Sequence, residues 1–392
     1  MRHSAISQRS NGLGVYIHWP FCMAKCPYCD FNSHVRLNPV DQKRFVRAIL
    51  TELSYMKSLT GERQVTSIFF GGGTPSLIHP ENLDLILKRI TECWPLSADI
   101  EITLEANPVS VEIAQFSDYR KSGVNRISVG VQALNDQDLK RLGRIHDIRQ
   151  AYEALEAADR IFDRYSFDLI YARPDQTVAA WQSELRQALP LAKEHISLYQ
   201  LTIEPGTQFF RQYQTGKLSV PDDDLALRLY EVTQEECERA GFPAYEISNH
   251  AGAGCESRHN LLYWRYGEYI GAGPGAHGRI IKGKSRYATR TERNPEKWLT
   301  RVEKYGNGLA EQEELSPLIQ AEEFLMMGLR LAEGINLKDL FCLFPHSSFH
   351  TAQLDDLVTA GLVDIDGECL KVTRQGRLVL NTILAHIIAL LD

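Results

Sequence analysis

The chain has 392 residues, 44% of them hydrophobic and 24% charged, with a formal net charge of −7. That length holds one large domain and a smaller one with ample core, and the acidic balance argues against broad nucleic-acid binding, which needs a basic surface. No apolar run reaches the roughly 18 residues of a membrane span, and residues 1–11 lack the apolar core of a secretion signal. Cys93, Cys237, Cys255, Cys342 and Cys369 stand singly, as reduced thiols do in a cytosol. The expectation is a soluble cytoplasmic protein.

In chain order, β-like runs at 15–19, 67–70, 100–104, 126–131, 166–171 and 196–202 read as strands. Amphipathic stretches at 41–58, 81–93, 110–122, 148–162 and 177–192 read as helices between them, with Thr177 as an N-cap and Gly123 as a C-cap. Such alternation implies an α/β fold with a parallel sheet and helical crossovers. Six units predict an open, partial (β/α)6 barrel, with a doubly wound sheet as the alternative. Barrel chemistry sits at the C-terminal strand ends, and the polar or Gly-rich features fall there. A cysteine loop follows the first strand and Gly71-Gly72-Gly73-Thr74-Pro75 the second. Glu105-Ala-Asn107-Pro108 closes the third and Gln132 the fourth, while Asp168 lies in the fifth and Tyr199 in the sixth.

After Pro221-Asp-Asp-Asp, a helix over 225–241 leads into residues 245–276, rich in Gly, aromatic, Asn and His residues. Ser316-Pro317 reads as an N-cap with Pro at the first helical position, opening a helix over 318–333 that ends at Gly334. A helix over 351–360 closed by Gly361, a hairpin of 362–365 and 369–372 about Asp366-Gly367, and a helix over 378–391 begun by Thr373 make a winged-helix-like arrangement. Asp355, Asp356, Asp364, Asp366 and Glu368 are wrong for phosphate contact. The unit therefore reads as a packing or interaction module, and its apolar last helix as core packing rather than membrane docking. The expected organisation is a core barrel at 1–220, a barrel-associated extension at 221–312 and a winged-helix-like α+β domain at 313–392.

Cys22-Met-Ala-Lys-Cys26-Pro-Tyr-Cys29 gathers its thiols in one short loop, which Pro27 favours. Three thiolates are one short of the usual set of an iron–sulfur cluster, so a [4Fe–4S] cluster held here keeps one iron open to an external ligand. Structural zinc usually takes a fourth ligand from a second knuckle; no second CxxC pair exists, although His18 and His34 lie close by. The cysteine spacing, with an aromatic before the last, resembles that of radical S-adenosylmethionine (SAM) enzymes. The glycine run matches neither the P-loop nor the dinucleotide fingerprint, but its glycines let backbone groups approach a ligand closely. Glu105 would accept from ribose hydroxyls. Gln132 and Arg144 are placed to hold a charged methionine end, Arg144 bidentately on its carboxylate. Asp168 faces opposite to Phe167 and Leu169 on its strand and, if inward, needs a partner.

Val15-Tyr16-Ile17-His18-Trp19-Pro20-Phe21-Cys22, the Gly-Gly-Gly-Thr-Pro-Ser run, Glu105-Ala-Asn107-Pro108, Ser128-Val-Gly-Val-Gln132 and Asp168-Leu-Ile-Tyr171 together resemble the oxygen-independent coproporphyrinogen III dehydrogenase superfamily over almost the whole chain. The resemblance implies cluster ligation by Cys22, Cys26 and Cys29, and SAM binding by Tyr16, Tyr28, Gly72, Gly73, Thr74, Glu105, Gln132, Arg144 and Asp168. The chain departs from the dehydrogenase itself in three ways. Asp30-Phe31 follows Cys29 where the dehydrogenase continues to a further cysteine; the segment before the cysteines is short; and His259-Asn260-Leu-Leu-Tyr263-Trp264 is the HNxxYW signature of the haem chaperone branch. Glu323-Phe-Leu-Met-Met-Gly-Leu-Arg330 also resembles that branch's C-terminal domain.

That branch implies a protein that binds haem and delivers it to haem proteins such as respiratory cytochromes, the cluster and SAM supporting dimerisation and transfer rather than porphyrinogen turnover. The alternative is an enzyme, an anaerobic coproporphyrinogen III dehydrogenase or another radical SAM tetrapyrrole enzyme. A homodimer and peripheral membrane contact are further partners this reading allows, nucleic acid is not. Ala172-Arg173 stands where the branch more usually has Gly-Leu, which puts an Arg charge near the site. His259, Tyr263 and Trp264 share a face if helical, and His259 and Trp264 read as structural or cofactor-supporting residues rather than haem contacts. His250 and His277 read in the same way, although His277 falls in the Gly-rich turn 271–278, placed to line the barrel mouth.

Overall fold

The computed structural model describes residues 12–36, 39–345 and 351–391. The six apolar runs form strands β1 (Leu13–Trp19), β2 (Val65–Gly72), β3 (Leu96–Ala106), β4 (Arg126–Gln132), β5 (Arg164–Tyr171) and β6 (His195–Gln200). They pair in parallel and in chain order. Several of the helices between them begin at capped turns. Asp41 accepts from the Arg44 N–H, Asp147 and Gln150 form a capping box, and Thr177 accepts from the Ala180 N–H. Leu53, Leu83, Leu155 and Leu185 of successive helices share one core with Ile17, Ile68, Leu104, Val129 and Phe167 of the strands. Each such side chain contributes roughly 2 kcal/mol by leaving water.

The six-stranded parallel arc does not close on itself. Beyond β6 lies the antiparallel strand β7 (Asn249–Ala251), and beyond β1 the parallel strand β8 (Glu268–Ala272). An antiparallel meander of β9 (His277–Lys282), β10 (Ser285–Thr291) and β11 (Leu309–Glu314) follows β8, giving an 11-stranded sheet. The stretch expected as one helix over 110–122 is two, Ser110–Ile113 and Phe116–Lys121. In the first of them Glu112 turns inward to accept from the Asn107 N–H (2.7 Å) and the Ser76 hydroxyl.

Residues 317–345 and 352–391 pack around their own core of Phe324, Leu325, Leu340, Leu370, Ile383 and Ile387. Ser316 caps the helix Pro317–Gly328, and Ile335–Asn336, Cys369–Val372 and Val363–Asp366 form a three-stranded sheet. The first helix ends at Gly328 rather than 333, because a Cβ at Gly328 would sit 2.2 Å from Ile335 Cγ2 and the chain turns back to make that contact. Asp366 pairs with Cys369, so the hairpin turn is Gly367-Glu368, one residue later than expected. The helix expected over 351–360 is a 3-10 turn, Thr351–Leu354, followed by Asp355–Thr359. The last helix is split into Arg374–Arg377, capped by Thr373, and Leu380–Ala389, which buries Leu380, Ile383, Leu384 and Ile387. Among the described residues no helix is long and apolar enough to cross a membrane.

Candidate functional site

The cysteine loop leaves β1 and the glycine turn leaves β2, so parallel pairing brings them side by side. The Gly73 N–H donates to Trp19 O at 2.7 Å. A Cβ at Gly73 would lie 2.7 Å from the Pro20 carbonyl, and one at Gly72, whose φ is 117, would lie 2.7 Å from the His18 ring. Only glycine fits this close approach and this left-handed backbone. The turn delivers the Thr74 hydroxyl to Cys22 Sγ (3.5 Å). Arg144, just beyond the helix Asp136–Arg141, donates to Cys26 Sγ (3.6 Å), Gly130 O (2.8 Å) and Asn107 Oδ1. Cys29 Sγ lies 3.7 Å from the Ser33 hydroxyl.

The three thiols are free and half-buried, and all of them open on one cavity of about 330 Å³. Tyr28, Gly72, Gly73, Thr74, Glu105, Gln132, Arg144 and Asp168 line it with them. The Tyr28 ring packs against Phe209, centroids 6.4 Å apart. Tyr16 lies instead on a second, adjoining cavity, with its hydroxyl 3.0 Å from His18 Nδ1. Gln132 and Ala172, at the ends of β4 and β5, hold left-handed φ values of 74 and 56. Non-glycine residues are strained there, and such strain gathers at binding sites.

Burial dominates the electrostatics. It pushes the Glu105 carboxyl up to about 8, with the nearby Asp168 charge adding to the shift and the Gly72 N–H (3.2 Å) opposing it. Burial pushes Asp168 up to about 6 against its hydrogen bond to Ser197 and the charge of Arg126. Asp168 Oδ1 is buried and has no hydrogen-bond partner among the described residues, so this wall of the cavity offers an acceptor to a bound donor. Burial also raises the Cys22 and Cys29 thiols, so a metal centre bound there releases protons. Among the described residues no three His, Cys, Asp or Glu side chains are drawn together round a single metal ion. The thiols instead ring a cavity roomy enough for a multi-atom cluster and a small-molecule ligand, and this donor set suits iron–sulfur ligation.

Two expectations about individual side chains are settled by contacts. Arg173 lies outside the cavity lining and is 2% exposed. Its guanidinium donates to Glu184 and to Ile170 O (2.9 Å), with Asp138 at 3.0 Å. Behind the cavity wall its charge is neutralised by Asp138 and Glu184, which corrects the expectation that it alters the local charge. His259 lies on the helix Arg258–Trp264, 1% exposed. Its Nδ1 meets the Ser67 hydroxyl (2.8 Å), its Nε2 meets Tyr263 Oη (2.7 Å) and its ring stacks on Phe69, a structural placement. Asn107, Ser33 and Asn32 are site residues to which the sequence reading gave no role. Asn107 stood in the Glu-Ala-Asn-Pro run, while Ser33 and Asn32 had no signal beyond nearness to Cys29.

Residues 16–188 match the radical SAM superfamily and residues 315–379 the HemN C-terminal domain. The mitochondrial radical S-adenosyl methionine domain-containing protein 1 of Bos taurus is 38% identical over 400 residues, covering 98% of this chain and 89% of its own length. The heme chaperone HemW of Escherichia coli (strain K12) is 37% identical over 380 residues, covering 96% and 98%. The HemW of Bacillus subtilis (strain 168) is 34% identical over 376 residues, covering 94% and 97%. Among solved structures, the coproporphyrinogen III oxidase HemN of Escherichia coli, a radical SAM enzyme, aligns with a TM-score of 0.80 at 22% identity, covering 100% of this chain and 92% of its own. That likeness is one of fold.

Proposed function

The chain belongs to the radical SAM family that holds HemW and mitochondrial radical SAM domain-containing protein 1, and from that premise we propose that it is a haem chaperone. In this reading it holds a [4Fe–4S] cluster and SAM, binds haem and delivers it to haem proteins such as respiratory cytochromes. The observation that favours this over porphyrinogen turnover is Phe31. Where the dehydrogenase pattern carries a further cysteine, this chain presents an aromatic ring that is 61% exposed and lines both cavities. A bare ring offers a flat ligand an apolar stacking surface, and no thiol.

Cys22, Cys26 and Cys29 would hold the cluster. The backbone of Gly72 and Gly73 would take the ammonium end of SAM and Arg144 its carboxylate. Glu105 would take the ribose hydroxyls, with Tyr28, Thr74, Gln132 and Asp168 completing the wall. When bound, the two cofactors supply one-electron chemistry. The chain's own residues bind, orient and exclude water.

Anaerobically reconstituted protein given SAM and coproporphyrinogen III is expected to leave the porphyrinogen unconverted in mass spectra, while retaining haem and passing it to an apo-cytochrome. Stoichiometric decarboxylation would overturn the chaperone reading. The raised Glu105 carboxyl yields a second test. Accepting hydrogen bonds at both oxygens requires the proton to leave. SAM affinity should therefore rise from about pH 6 to about pH 9 with proton release, and Glu105→Gln should flatten the profile. Calorimetry in buffers of different ionisation heats reads that release; identical heats would remove Glu105 from the SAM site.

A further inference from the structure

Beside the three-cysteine cavity lies a second one of about 510 Å³, within the roughly 300–1,000 Å³ of small-molecule sites. Phe31, Gly72 and Glu105 line both. Its wall carries Tyr263 and Tyr269, and Arg290 and Arg293 add positive charge. The chemistry suits a flat apolar ligand that also bears carboxylates.

Two histidines face this space, and only one is available. His18 is 6% exposed, and both its nitrogens are engaged, Nδ1 by Tyr16 Oη and Nε2 by Asn32 O, each at 3.0 Å. His259 is excluded by its own contacts, with Ser67 and Tyr263 occupying both nitrogens. His277 is exposed at the start of β9, and no side-chain hydrogen bond engages its ring among the described residues. Partial burial, then the charges of Arg279, Arg290 and Arg293, hold its pKa below the usual value, which favours the neutral imidazole that ligates metals. Asn32 Nδ2 donates to Pro274 O and Arg293 O, both at 2.9 Å. It thereby fastens the turn before His277 and the Arg293 backbone to the end of the cysteine loop. Arg290 pairs with Glu311 at the surface, and an exposed pair of this kind exchanges partners at little cost.

We propose that this second cavity seats haem, with His277 as the axial ligand and Arg290 and Arg293 as partners of the propionates; the assignment rests on the chaperone reading. Ferric haem titrated into the full-length protein, followed by Soret absorption and electron paramagnetic resonance, tests it. His277→Ala is expected to shift the Soret maximum and weaken haem binding at least about tenfold, and added imidazole should restore the wild-type position. The double change Arg290→Ala and Arg293→Ala is expected to weaken binding at least about tenfold without moving the Soret band. SAM binding by equilibrium dialysis should be unchanged in every variant, which shows that the barrel has folded. His277→Met, a ligand of different spectral signature, serves should the alanine variant misfold. A wild-type spectrum in both His277 variants would overturn the assignment while leaving the chaperone reading intact. A wild-type protein that takes up no haem would overturn that reading itself.

Discussion

Cys26→Ser protein, reconstituted anaerobically with iron and sulfide, is expected to hold less than about a tenth of the wild-type cluster iron and to lose SAM binding. A cluster seated on three thiolates has no ligand to spare. A serine hydroxyl is a hard and reluctant donor where a soft thiolate is wanted, and on the proposed reading losing the cluster would also take away a support of SAM binding. The fold should be untouched, because Cys26 is half-buried on a loop and its side chain meets only the polar ends of Arg144 and Tyr28 among the described residues. Substitutions away from the core usually change stability by no more than about 0.5 kcal/mol. Iron and sulfide analysis together with a thermal melt separates the two effects, and Cys93→Ser is the control. Full iron content in the Cys26 variant would remove it from the ligand set.

Glu52→Ala should act on the fold instead, by about 3–5 kcal/mol. The Glu52 carboxylate is 0% exposed. It accepts from the Gly273 N–H (2.8 Å), the Gly308 N–H (2.8 Å) and Trp298 Nε1 (3.1 Å). It thus ties the helix Gln42–Thr60 to the end of β8, the helix Pro295–Tyr305 and the approach to β11. Truncation leaves three buried donors without an acceptor. Burial also pushes this carboxyl from 4.5 up to about 7, so between those values the folded chain keeps a proton that the unfolded chain has lost. Stability should therefore be highest near the lower value and fall by up to about 3 kcal/mol as pH rises through the window. Glu105 and Asp168 are raised as well, so the difference between wild type and Glu52→Gln isolates this contribution. Urea denaturation across about pH 4.5 to 7.5 measures it. Parallel curves for the two proteins would count against a raised Glu52.

The parallel arc was legible because each of its strands is an apolar run between turn signals, as buried parallel strands are. The meander was not. β8 carries Gly271, and β10 reads Ser-Arg-Tyr-Ala-Thr-Arg-Thr, a strand whose Arg290 pairs with Glu311 and whose buried Arg286 donates to the carbonyls of Tyr266 and Gly267. Neither has the apolar continuity that marks a strand. The cavity residues could be read from the chain because strand ends face one way in a barrel, which put Glu105, Gln132 and Asp168 at the same rim. The division of the rim into two cavities could not be read, since it depends on Tyr16 turning toward His18 and on Phe31 standing between them. Nor could the fate of Arg173, whose neutralising carboxylates come from two different helices.

β1, the first strand of the sheet along the chain, lies between β2 and β8. During synthesis its β2 edge is covered early, but its other edge waits until Glu268–Ala272 has emerged from the ribosome. Until then the nascent chain displays unpaired backbone groups flanked by Val15 and Ile17, an open template for pairing with another chain. Such distant pairing also slows folding, because the loop must close before the contact repays it. A polypeptide halted before β8 is therefore expected to self-associate rather than to stand as a smaller barrel.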